Sequence, residues 1–136
     1  MSELGDVLVV EDNQQNLELV EYLLEERGIA VRSASDAEGV LAQLAERTPD
    51  LILMDMQLPG TDGLTLVRRI RRDPEQAGVV IVALTAHAMR GDRERFLAGG
   101  CDGYIAKPID AVNFVDHIRT ILASRTGGET DAPGPP

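Results

Sequence analysis

A single doubly wound α/β domain, with five parallel strands and five helices, is the fold this sequence predicts. Three observations lead to it. Short aliphatic runs alternate with segments of helical period, five times along the chain. The runs are nearly continuous in apolar residues, as in strands covered on both faces. The length of 136 residues, 43% of them apolar, suits one core.

The elements follow in order. VLVV (7–10) is the first strand. Leu17, Val20, Leu23 and Leu24 form the stripe of the first helix, which Gly28 ends. AVRSA (30–34) is a weaker second strand. Val40, Leu41 and Leu44 mark the second helix, with Asp36 as its N-cap. LILM (51–54) is the third strand. Leu64, Val67 and Ile70 mark the third helix, stopped by Asp73-Pro74. VVIVAL (79–84) is the fourth strand. Phe96 and Leu97 belong to a short, glycine-flanked fourth helix. GYIA (103–106) is the fifth strand. Val112, Val115, Ile118, Ile121 and Leu122 form the stripe of the fifth helix. All five runs are read as buried on both faces. Residues 125–136, rich in Gly and Pro, have no apolar pattern and read as a flexible tail or linker after a domain spanning 1–124.

Composition narrows the function. The formal net charge of −10, from 13 basic and 23 acidic residues, argues against direct DNA binding and against an anionic membrane surface. No apolar run approaches the roughly 20 residues needed to span a bilayer, and no signal peptide is visible. A cytoplasmic location is expected. The single cysteine, Cys101, permits no intrachain disulfide and reads as a small buried residue.

Chemistry gathers at one edge. In open α/β sheets, ligands bind at the carboxyl ends of the strands. The first strand runs into Glu11 and Asp12, the third into Asp55, the fourth into Thr85, the fifth into Lys107-Pro108. If the strand order is 2-1-3-4-5, as in flavodoxin-like doubly wound sheets, the first and third strands are neighbours at the topological switch point, and Glu11, Asp12 and Asp55 are then adjacent. Two carboxylates about 4 Å apart repel by about 4 kcal/mol at an effective dielectric near 20. Three of them need a cation. Oxygen donors alone, without nearby His or Cys, favour a hard ion such as Mg²⁺. Lys107 is the only lysine in the chain, the other basic residues being arginine.

VVEDN (9–13), LILMDMQLPGTDG (51–63), ALTA (83–86) and YIAKPI (104–109) stand in this order on the five β-α units. With them the sequence resembles the receiver domains of two-component response regulators, over nearly residues 5–123. It looks most like stand-alone receivers and the receivers of hybrid histidine kinases. The fold this implies is flavodoxin-like. The resemblance implies that Asp55 is the phosphoacceptor, served by a histidine kinase or a histidine phosphotransfer protein. It implies that Glu11, Asp12, Asp55 and the backbone carbonyl of Gln57 bind Mg²⁺. Lys107 would contact the phosphoryl oxygens. Thr85 would hydrogen-bond the phosphoryl group and move towards it, and Tyr104 would turn inward in response. Pro108 would hold the last loop through a cis Lys107-Pro108 bond. The domain would catalyse its own phosphorylation and dephosphorylation rather than turn over a substrate. Its target would dock on the fourth helix, fifth strand and fifth helix. Dimerisation through the last helices stays open.

Other readings stand beside this one. The chain could be a receiver cut from a hybrid histidine kinase. A Mg²⁺-dependent phosphatase with an aspartyl nucleophile would carry a second Asp two residues on, as general acid, where this chain has Gln57. A receiver used purely as a binding module would not need all the key residues. His87, just after Thr85, is expected to line the partner surface and His117 to be a surface residue; neither is given a catalytic role.

Overall fold

The computed structural model of the chain describes residues 5–58, 60–86 and 91–126. Five strands make one parallel sheet: β1 (Asp6–Val10), β2 (Ala30–Ala34), β3 (Leu51–Asp55), β6 (Val80–Thr85) and β7 (Gly103–Ala106). Their order is β2-β1-β3-β6-β7, the expected 2-1-3-4-5 with β6 and β7 as fourth and fifth strands. Between β3 and the third helix, β4 (Gln57–Leu58) and β5 (Thr61–Asp62) pair as a small antiparallel hairpin. The sequence reading did not anticipate it, because two-residue strands carry no period.

The helices are α1 (Gln14–Glu25), α2 (Ala37–Glu46), α3 (Gly63–Arg72), α4 (Asp92–Ala98) and α5 (Phe114–Thr126). Asn13 caps α1, its Oδ1 accepting from the Asn16 N–H at 2.9 Å. Gly28, at φ +80°, turns the chain after α1 in a conformation that L side chains disfavour. Asp36 caps α2 as expected, accepting from the Gly39 N–H at 2.8 Å.

Successive strand residues point to opposite faces of the sheet. Val7, Val9, Leu51, Leu53, Val82 and Leu84 pack with residues of α1 and α5. Leu8, Val10, Ile52, Met54, Ile81 and Ala83 pack with α2, α3 and Phe96 of α4. Burial on both faces holds for β3 and β6, which are buried throughout, and for β1 from Val7 onward. It fails for β2 and β7, most of whose residues are only partly buried. These are the two edges of the sheet, with a neighbouring strand on one side only.

The fifth helix also departs from expectation. Asp110 Oδ1 accepts from the Val112 N–H at 3.1 Å and the Asn113 N–H at 3.4 Å. This turn delays the helix to Phe114 and leaves Val112 outside it, 79% exposed. Phe114 takes the core position instead. α5 continues to Thr126, two residues past the limit of 124 expected for the domain. Residues 127–136 of the expected tail, and His87, lie outside the described residues.

Candidate functional site

The carboxyl ends of β1, β3, β6 and β7 deliver the expected residues to one place. Glu11 follows β1 directly, and its N–H donates to the Ala34 carbonyl of β2 at 3.0 Å. Asp55 ends β3, in register with Leu84 of β6. Thr85 ends β6 and is paired with Ala106 of β7. Lys107 comes next, its N–H donating to the Thr85 carbonyl at 2.7 Å. The Lys107-Pro108 peptide is cis, as the resemblance implied.

Carboxylate oxygens of Glu11, Asp12 and Asp55 lie within 4.8 Å of one another. Glu11 and Asp55 are each 2% exposed, while Asp12 is open to solvent. Lys107 Nζ stands 3.0 Å from Glu11 Oε1 and 3.4 Å from Asp55 Oδ2. One ammonium thus faces two buried carboxylates and a third nearby, so negative charge is in excess. Glu11 Oε2 accepts from the Asn13 N–H at 3.2 Å. Glu11 Oε1 is fully buried and accepts no aligned hydrogen bond; the ammonium beside it makes an ion pair only. Three carboxylates that share a single ammonium, two of them buried, suit a further cation. The donors are all oxygen, which suits a hard one.

The two oxygens of Asp55 are placed differently. Oδ1 accepts from the Gln57 N–H at 2.9 Å, and Oδ2 faces Lys107. Burial pushes the Asp55 carboxyl above the usual carboxylate range. The Gln57 N–H opposes this, the Glu11 charge adds to it, and Lys107 opposes it in turn.

Thr85 is buried at the site's floor, 2% exposed. Tyr104 is in register with Ala83, two residues before Thr85, and is half-buried. Its ring centroid is 6.3 Å from that of Phe96, at 54°. The structure thus brings together Glu11, Asp12, Asp55 and Lys107, with Thr85 one register step away and Tyr104 behind it. The Gln57 side chain is exposed, and no carboxylic acid stands two residues after Asp55, so the phosphatase reading is not favoured. His117 is exposed on α5. Two supporting positions were missed from sequence. The Asn13 N–H holds Glu11, and Gly63 lies against the Asp55 backbone. The Asp62-Gly63 pair at a helix start was the available signal for the second.

Known proteins resemble this chain in sequence and fold. Residues 7–119 match the family model described as the response regulator receiver domain. The polar-differentiation response regulator DivK of Brucella ovis is 42% identical over 117 residues, covering 85% of this chain and 94% of that protein. DivK of Brucella anthropi is 40% identical over 116 residues, with the same coverage of both. A crystal structure from Chloroflexus aurantiacus assigned to the response regulators superposes with a TM-score of 0.82 at 32% identity, over 88% of this chain and 98% of that one. The signal receiver domain of a histidine kinase from Syntrophus aciditrophicus superposes with a TM-score of 0.78 at 27% identity, over 96% and 98%.

Proposed function

The chain belongs to the response regulator receiver family, a phosphorylatable switch of two-component signalling, and on that premise we propose that Asp55 is its phosphoacceptor, with Mg²⁺ as cofactor. The observation that supports this best is the meeting of Asp55, Lys107 and the Glu11–Asp12 pair at one sheet edge. Glu11, Asp12, Asp55 and the Gln57 carbonyl are the residues that would hold Mg²⁺. An ion held there would supply positive charge to offset the charge that develops on the phosphoryl oxygens.

The chain's own groups do the rest. The Gln57 N–H fixes one Asp55 oxygen and so orients the other. An Asp55 oxygen attacks the phosphorus of a phosphohistidine donor. The P–N bond breaks, the imidazole leaves with the electron pair and takes up a proton, and an aspartyl phosphate forms. Lys107 exchanges its contact with Glu11 or Asp55 for a phosphoryl oxygen, holding charge in a buried setting where it counts for more than in water. Hydrolysis reverses the acceptance, with water attacking phosphorus and Asp55 leaving. The donor is a histidine kinase or a histidine phosphotransfer protein.

Thr85, at the end of β6, donates to the new phosphoryl oxygens, and Tyr104 fills the space it vacates. This changes the face formed by α4, β7 and α5, where a protein target docks. A cytoplasmic site of action suits such a partner, and no described helix is long and apolar enough to cross a membrane.

Intact-mass spectrometry after incubation with Mg²⁺ and phosphoramidate tests the reading. Wild type is expected to gain one phosphoryl group and Asp55→Asn none. Equal gain on both would place the acceptor elsewhere.

A further inference from the structure

We infer that Gly63 is a positioning residue for the acceptor, an inference that rests on the reading of Asp55 above. Gly63 is the first residue of α3 and is buried. A Cβ at this position would stand 2.7 Å from Met56 Cα and 2.9 Å from the Asp55 carbonyl oxygen. Both are backbone atoms and cannot swing aside. Heavy atoms attract best at about 3.5–4.0 Å, so a side chain here must displace something. Gly63 is not among the positive-φ glycines, Gly28, Gly60, Gly91 and Gly100. Space, not backbone conformation, requires glycine here.

α3 is blocked from yielding. Leu64, the next residue, lies against Gly99 at the end of α4. A Cβ on Gly99 would be only 2.6 Å from Leu64 Cδ1. The start of α3 is wedged between α4 and the Asp55–Met56 peptide, so displacement falls on that peptide.

That peptide leads directly to Gln57. The Gln57 N–H donates to Asp55 Oδ1 at 2.9 Å. The Gly63 N–H donates to the Met56 carbonyl at 3.3 Å. The β4–β5 hairpin closes the loop by pairing Gln57 with Asp62. Asp55, Gln57 and Gly63 therefore move together. Pushing Met56 away from α3 lengthens the Gln57–Asp55 bond, frees the carboxylate to turn, and shifts the Gln57 carbonyl.

Gly63→Ala tests this by three readouts. Hydrogen exchange by ¹⁵N NMR follows the Gln57 amide without phosphate or metal. Titration calorimetry gives the Mg²⁺ dissociation constant. Phosphoramidate gives the acceptance rate. With native far-UV circular dichroism, Gln57 protection is expected to fall, Mg²⁺ to bind about tenfold more weakly, and acceptance to slow by about tenfold or more, as supporting residues of such sites typically show. Adding Leu64→Ala lets α3 retreat and is expected to restore part of the Gln57 protection.

A Gly63→Ala protein with wild-type Gln57 exchange and Mg²⁺ affinity overturns the inference, even if its stability has dropped. Should the variant not fold, the same measurements are made in trimethylamine N-oxide, which favours the compact state. An unprotected Gln57 amide in wild type overturns the inference by itself. If wild type takes no phosphoryl group, yet Gly63→Ala loses Gln57 protection and Mg²⁺ affinity, the proposed function falls and the positioning role stands.

Discussion

Lys107 Nζ is closer to Glu11 Oε1, at 3.0 Å, than to Asp55 Oδ2, at 3.4 Å. The ammonium is shared between a carboxylate expected to hold the cation and the one expected to accept phosphate. Binding of either ligand therefore competes for the same partners. Lys107→Ala is expected to slow phosphoryl acceptance by about a hundredfold, the scale of losing one preorganised charge contact. It should leave Mg²⁺ binding equal or tighter, because a competing cation is gone. Phosphoramidate kinetics and calorimetry measure the two effects separately. Weaker Mg²⁺ binding in the variant would contradict the shared role.

The raised Asp55 carboxyl has a consequence for stability. Burial, the leading cause, disfavours the ionised form. A carboxyl whose folded pKa lies above its unfolded value destabilises the fold once pH exceeds the unfolded pKa. In the absence of divalent cations at pH 7, Asp55→Asn is expected to melt higher than wild type by about 3 °C or more. Below the unfolded pKa the difference should vanish. Adding Mg²⁺ should raise the wild-type midpoint and narrow the gap, since ligand binding to the folded state stabilises it. Differential scanning calorimetry with and without EDTA measures this.

Asp6 behaves in the opposite sense. Burial raises its carboxyl pKa, but hydrogen bonds and charge from Arg32 and Arg47 together outweigh this and lower it. Arg32 Nη2 lies 2.8 Å and Arg47 Nη2 3.1 Å from Asp6 Oδ2. With the folded pKa below the unfolded value of about 3.9, the contribution is present above that value. It is lost as pH falls through the folded pKa. Asp6→Asn is expected to cost about 2 kcal/mol at pH 7 and little in strong acid. Urea unfolding at the two pH values checks it.

Tyr104 offers an optical test of the switch. The protein has no tryptophan, so Tyr104→Trp places a single reporter beside Phe96. Phosphorylation is expected to shift its emission to shorter wavelength as the ring turns inward. The shift should disappear when Asp55→Asn is added. An unchanged spectrum on a phosphorylated protein would remove Tyr104 from the switch.

Cys101 should be inert. Burial pushes its thiol up to about 11, and the residue is 5% exposed. Reaction with Ellman's reagent at pH 8 is expected to be at least about a hundredfold slower in the folded protein than in urea, because so little thiolate is present.

Much of this molecule could be read from one dimension. Aliphatic runs separated by helical stripes imply parallel strands, because such runs need covering on both faces. That predicted a parallel sheet with its ligand edge at the carboxyl ends of the strands, where Glu11, Asp12, Asp55, Thr85 and Lys107 leave it; the strand order came from the doubly wound fold class and not from the runs. Asp36 as a cap was equally legible, since capping acts within three residues. What local pattern missed depends on neighbours distant in the chain. Val112 carried the stripe's period, yet the Asp110 turn leaves it in solvent and Phe114 enters the core. β2 and β7 have strand-like sequences, but their place at the sheet edges, a property of topology, leaves them half-covered. Gly63 looks like an ordinary turn glycine until α4, Leu64 and the Asp55 backbone crowd around it. The sequence by itself determined which chemical groups reach the site. Only the tertiary structure decided how each is held, because distances of 3 Å between residues some fifty or a hundred apart are set by packing and not by spacing.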